Sequence, residues 1–138
     1  MRRIFADSAY WIGLRDKGDP FHVRSRKIAM WLVETRCRLV VTPFIFAESH
    51  AFFCRVPELR ELVIRDFWQN PLIHIEQPTF QDQEQAVKIL RNHRDKSYSF
   101  ADALSFTVMA RLELEEVVTF DRHFQQFGHF SVIDGSFL

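Results

Sequence analysis

Short β-branched and aromatic runs alternate with longer segments of helical period along the whole chain, and this alternation restricts the fold more than any other property. Extended segments are predicted at Arg3 to Ala6, Arg38 to Val41, Leu72 to Ile75, Val117 to Phe120 and Phe130 to Ile133. A helix is predicted from His22 to Arg36, with Ile28, Trp31, Leu32 and Thr35 on one face. Thr42 as N-cap and Pro43 at the first helical position open another, to about Arg55. Pro57 starts a third, to about Gln69, before the break at Asn70-Pro71. Further helices follow from Thr79 to about His93, after the Ser99 cap, and from Phe124 to Phe127, while Arg15 to Pro20 reads as a loop. Strands separated by helices form a mainly parallel sheet covered on both faces. The expected fold is a three-layer α/β/α architecture in one domain spanning 1–138.

The segment from Phe100 to Leu112 supports the layered arrangement, because it is apolar nearly all round and belongs deep in the fold. Fifteen Phe and three Trp supply large rings to the core, which makes folding without staples plausible. Cys37 and Cys54 lack metal-type spacing and read as reduced thiols. No apolar run reaches the roughly 20 residues of a membrane span, and the N-terminus meets Asp7 too soon for a signal peptide. A cytoplasmic protein without membrane association is expected. With 18 basic and 18 acidic residues the net charge is zero, so contact with nucleic acid must come from local patches.

Four acids stand apart because apolar residues surround them: Asp7 after Ile4-Phe5-Ala6, Glu48 after Phe44-Ile45-Phe46-Ala47, Asp102 in Phe100-Ala101-Asp102-Ala103-Leu104, and Asp121 after Val117-Val118-Thr119-Phe120. Charged acids are rarely buried without partners. Asp7 and Asp121 end predicted strands, where an open parallel sheet binds its ligands. Glu48 lies on the helix after the second strand, and Asp102 lies in the first turn after Ser99, where the helix dipole favours negative charge. All four can meet at one edge of the sheet. Two unit charges about 4 Å apart repel by about 4 kcal/mol at an effective dielectric near 20. Either some acids hold protons or a cation sits among them, and oxygen-only ligands suit Mg²⁺ or Mn²⁺. Taken singly, Asp7, Asp102 and Asp121 also read as helix-start acids. Asp66 reads as part of a solvated helix face.

These acids and their surroundings resemble the PIN-domain family, and within it the VapC-type toxin ribonucleases of toxin–antitoxin systems. The likeness is carried by Phe5-Ala6-Asp7-Ser8, by Thr42-Pro43 through Glu48-Ser49, by Ser99 through Phe106, and by Val118-Thr119-Phe120-Asp121-Arg122-His123-Phe124. It implies a metal-dependent endoribonuclease in which Asp7, Glu48, Asp102 and Asp121 hold Mg²⁺ or Mn²⁺ and water attacks the phosphate in line. It also implies that Ser8 and Thr119 support the acids, that an antitoxin protein blocks the site, and that the chain forms a homodimer. One position departs. Many relatives carry a further acid two residues after the one matching Asp121, and here that residue is His123. The number of ions is therefore open, and His123 reads either as an RNA contact or as a surface histidine at a helix start.

Basic residues gather in Arg15 to Lys27 and in Arg91 to Lys96. Arg15, Arg24, Arg122 and His123 are the candidate RNA contacts, and the bland reading of these clusters is a solvated face. No Gly-rich phosphate loop, His-x-x-x-His pair or glycine-flanked nucleophilic serine is present. Two other functions remain open from the residues: a metal-free ribonuclease using histidines and the substrate 2′-hydroxyl, and a catalytically silent RNA- or protein-binding module.

Overall fold

The computed structural model describes residues 1–138. Five parallel strands form its centre: β1 (Arg3–Ala6), β2 (Arg38–Val41), β3 (Ile73–Ile75), β4 (Glu116–Val118) and β5 (Ser131–Ile133), in the spatial order β3-β2-β1-β4-β5. The connections run through α1 (Ser8–Arg15) and α2 (His22–Glu34), α3 (Pro43–Phe53) and α4 (Pro57–Trp68), α5 (Phe80–Asn92) and α6 (Phe100–Arg111), and α7 (Arg122–Phe127). Parallel neighbours require such crossovers. Helices α1 to α4 pack on one another, and α6 packs on α5 and α7, which gives the expected three layers. No helix is long and apolar enough to cross a membrane.

The chain builds outward from β1 to β2 and β3, then returns to place β4 on the other side of β1. The point where the order reverses therefore lies between β1 and β4, which pair through Phe5 with Val117 and Ala6 with Val118. Crevices for ligands open at this kind of reversal, beyond the carboxyl ends of the strands. The central strands are buried on both faces, with Ile4, Phe5, Val40, Val41, Val117 and Val118 inaccessible to solvent. Helix α6 is buried along most of its length, as its uniform apolarity requires.

Helix α1 has no counterpart in the sequence reading. It has only eight residues, includes Gly13 and begins at Asp7 without a side-chain cap. Isolated helices this short are marginal. This one is held by packing: Tyr10 and Trp11 are buried, and a Cβ at Gly13 would stand 2.5 Å from the Ser25 hydroxyl of α2. Strand β4 ends at Val118 rather than Phe120, and Asp121 is the N-cap of α7, the short helix expected after it. Gly128 closes α7 in the left-handed conformation, φ 80°, with its N–H on the Phe124 carbonyl. Cys37 and Cys54 are free thiols.

Candidate active site

The reversal between β1 and β4 sets the site. Asp7 directly follows β1, and its N–H donates to the Val118 carbonyl at 3.0 Å, continuing the ladder to β4. Thr119 directly follows β4 and is completely buried. Its hydroxyl donates to Asp7 Oδ2 at 2.9 Å and accepts from the Asp121 N–H at 3.0 Å. One hydroxyl thus fixes two of the acids relative to each other. Val or Ala at this position would leave both partners without it.

The other acids arrive on helices. Thr42 caps α3 through the Ile45 N–H, and Glu48 follows in the middle of the helix. Ser99 and Asp102 form a reciprocal capping box: Ser99 Oγ accepts from the Asp102 N–H, and Asp102 Oδ2 accepts from the Ser99 N–H at 2.9 Å. Asp121 Oδ1 accepts from the His123 N–H at 2.9 Å, capping α7. Asp102 and Asp121 therefore start helices and also face the site, so the two sequence readings of these acids are compatible.

The acids influence one another electrostatically. Asp7 is 4% exposed, and its carboxyl is pushed up to about 7. Burial is the largest cause, the Thr119 hydrogen bond opposes it, and the charges of Asp102 and Glu48 push further upward. Glu48 is raised as well, by burial and then by the charge of Asp102, with Asp121 adding to it and the nearby Ser8 hydroxyl opposing. Asp7 and Glu48 thus lie within electrostatic reach of Asp102, and the ligand atoms of Asp102 and Asp121 come with His123 within 4.8 Å of one another. The donor set fits a divalent cation: the carboxylates of Asp102 and Asp121 come together beside His123, and the most buried acid, Asp7, has no positive side chain as partner.

The histidine two residues after Asp121 joins this group. His123 Nδ1 lies 2.8 Å from Asp102 Oδ2 and 3.2 Å from Asp121 Oδ1. Its Nε2 is 3.3 Å from Ser97 Oγ, and Tyr98 packs edge-on against the ring. The side chain thus faces inward rather than lying on the surface. Ser97 and Tyr98 carry no sequence signal for a supporting role, because they sit in a short polar turn before the Ser99 cap.

The basic candidates divide. Arg15 stands at the far end of α1 from Asp7, and its Nε and Nη2 both donate to Asp66, with Nε to Oδ2 at 2.7 Å. Asp66 is correspondingly shielded, in contrast to the solvated helix face expected for it. Arg24 lies over the Phe21 ring, which stacks on Phe120 at 4.4 Å between centroids, next to Asp121. Arg122 is exposed at the first position of α7. Neither Arg24 nor Arg122 has a carboxylate within salt-bridge distance.

A family profile described as the PIN domain matches residues 4–129, which includes all four acids. The chain belongs to the PIN-domain family. Among curated relatives, it is 26% identical over 130 residues to the 23S rRNA-specific endonuclease VapC20 of Mycobacterium tuberculosis, in strains CDC 1551 and H37Rv. The alignment covers 94% of this chain and 97% of that protein. The crystal structure of M. tuberculosis VapC20, described as a Sarcin-Ricin loop cleaving toxin, superposes with a TM-score of 0.81 at 23% identity. It covers 91% of this PIN domain and 95% of the solved chain, and the likeness shows the shared fold.

Proposed function

We propose that this PIN domain is a divalent-metal-dependent endoribonuclease and the toxin of a toxin–antitoxin pair. The observation that carries this is the buried Asp7 beyond the carboxyl end of β1, raised to about 7 by burial and by the charges of Asp102 and Glu48, with Glu48 in turn raised by burial and by Asp102 and Asp121. Full-length similarity to a named rRNA endonuclease supports the substrate class.

Asp7, Glu48, Asp102 and Asp121 would hold Mg²⁺ or Mn²⁺. When bound, such an ion supplies Lewis acidity for hydrolysis of a phosphodiester and neutralises the charge that develops on it. The protein supplies the geometry. Thr119 holds the Asp7 carboxylate and the Asp121 backbone through one hydroxyl. The Ser8 hydroxyl favours the ionised form of Glu48. The capping box at Ser99 fixes the Asp102 carboxylate. Arg122, next to Asp121, and Arg24, over the Phe21 ring that stacks on Phe120, suit contacts to the phosphate backbone, which orient RNA without reading its bases. We further propose an antitoxin that covers this edge, a homodimeric assembly and a cytoplasmic location, on the same family grounds.

The test is cleavage of total RNA and of a sarcin–ricin stem-loop by purified protein, with Mn²⁺, with Mg²⁺ and with EDTA, followed by mapping of the ends. Expected are metal-dependent cuts that leave linear 5′-phosphate ends, abolished in Asp7→Asn. Cleavage that persists in EDTA and leaves cyclic phosphates would replace this mechanism with attack by the substrate 2′-hydroxyl.

A further inference from the structure

We infer that His123 Nδ1 is a metal ligand in this chain, making a mixed nitrogen–oxygen centre with Asp102 and Asp121 that selects Mn²⁺ over Mg²⁺. The inference deepens the proposed metal-dependent reading and rests on it. Three observations converge on the ring nitrogen. It is buried, yet it makes no properly directed hydrogen bond, although carboxylate oxygens stand 2.8 and 3.2 Å away. Both oxygens already accept backbone N–H groups, from Ser99 and from His123 itself. The three donor atoms also lie within 4.8 Å of one another.

The geometry favours coordination over an ion pair. Adjacent ligands of an octahedral ion with bonds of about 2.1 Å are separated by about 3 Å. Their lone pairs point at a shared centre, not at each other. Separations of 2.8 and 3.2 Å without alignment have this form. A protonated imidazole bridging the two acids would instead direct its N–H at one of them.

The other ring nitrogen agrees. For Nδ1 to offer a lone pair, the proton must reside on Nε2, and Ser97 Oγ at 3.3 Å is placed to accept it. A metal-binding histidine usually donates its second N–H in this way, which fixes tautomer and ring orientation. Tyr98 holds the ring edge-on from the side.

The ligand type has a chemical consequence. Mg²⁺ binds oxygen almost exclusively and gains little from imidazole, whereas Mn²⁺, though the weakest binder of the divalent first-row series, is a transition ion that accepts a nitrogen donor. An acid at this position would add negative charge useful to any divalent ion. Histidine adds a neutral donor that discriminates among ions.

The test uses the full chain without RNA. Mn²⁺ is titrated by calorimetry, Mg²⁺ is measured by competition, and bound Mn²⁺ is examined by pulsed electron paramagnetic resonance for coupling to ¹⁴N. Wild type is expected to show histidine nitrogen coupling. His123→Gln should lose it and weaken Mn²⁺ by about 10-fold or more, with Mg²⁺ changed less than about 3-fold. His123→Asp should bind Mg²⁺ more tightly than wild type and show no nitrogen coupling. Circular dichroism and thermal melts in EDTA confirm that the variants fold. Mn²⁺ binding without nitrogen coupling, or an equal loss of both ions in His123→Gln, would overturn the assignment and leave the carboxylate centre standing. Failure of wild type to bind either ion would overturn both.

Discussion

Replacing Asp7 by Asn tests whether this pocket is strained by charge when no cation is present. The carboxyl has an ordinary value of 3.8 and is raised to about 7 in the folded chain. The folded state therefore binds a proton that the unfolded chain has already released at neutral pH. The contribution of this group to stability is complete below about pH 4, declines as pH rises and is lost above pH 7. At 1.36 kcal/mol per pH unit, the difference amounts to roughly 4 kcal/mol. Asn keeps the shape and an oxygen to accept from Thr119, but it never ionises. In EDTA, Asp7→Asn should match wild type near pH 4 and exceed it by about 2–4 kcal/mol at pH 8. In urea, with a slope near 2 kcal/mol/M, this moves the midpoint by about 1–2 M. Millimolar Mn²⁺ should reverse the order, because wild type gains binding free energy that the variant cannot. A gap between the two proteins that does not change with pH, or an Asn variant less stable than wild type at pH 8 in EDTA, would refute the electrostatic account.

Other outcomes follow from individual contacts. Thr119→Val removes the hydroxyl shared by Asp7 and Asp121, and unfolding experiments should show a loss of about 1–3 kcal/mol. Its RNA cleavage should fall at least about 10-fold, with Thr119→Ser recovering most of it. Arg15→Ala and Asp66→Ala should each destabilise by about 1–2 kcal/mol, and a double-mutant cycle should show the pair coupled. Both should retain cleavage within about twofold, since this pair sits at the distal end of α1. Arg122→Ala should weaken RNA binding evenly across sequences and lower the salt slope by about one, measured by titration at several salt concentrations.

Most of the sheet is legible in the sequence, and the four acids stand out there as candidates. Buried parallel strands announce themselves as short β-branched runs, and acids flanked by apolar residues on both sides are rare enough to notice. What was not legible depends on distant neighbours. Helix α1 forms because Gly13 admits Ser25 of α2 and because Tyr10 and Trp11 are covered, none of which is local information. Asp66 reads as solvated in sequence because its partner Arg15 lies 51 residues away. His123 faces inward because the capping bond at Asp121 and the ring of Tyr98 turn it, and a helix-start histidine looks the same in sequence whichever way it points.

The position of the acids at helix starts explains how a protein can assemble them before any ion arrives. Asp7 precedes α1, Asp102 lies in the first turn of α6, and Asp121 caps α7. Each meets the positive end of a helix dipole, worth about 0.3–1 kcal/mol per carboxylate at exposed sites and up to about 2 when partly buried. Three such contributions offset part of the mutual repulsion but do not remove it, since Asp7 and Glu48 are still raised. The remainder must be relieved by a proton or by a cation, and these compete for the same oxygens. Cation binding should therefore release a proton from Asp7 below pH 7. Calorimetry in buffers of different ionisation enthalpy should detect nearly one proton released per Mn²⁺ at pH 6 and little from this group at pH 8.5. Apparent affinity should rise up to about tenfold per pH unit between pH 5 and 7, then flatten. An affinity independent of pH across that window would mean that Asp7 enters the centre already ionised, and that the dipoles alone hold the four charges together.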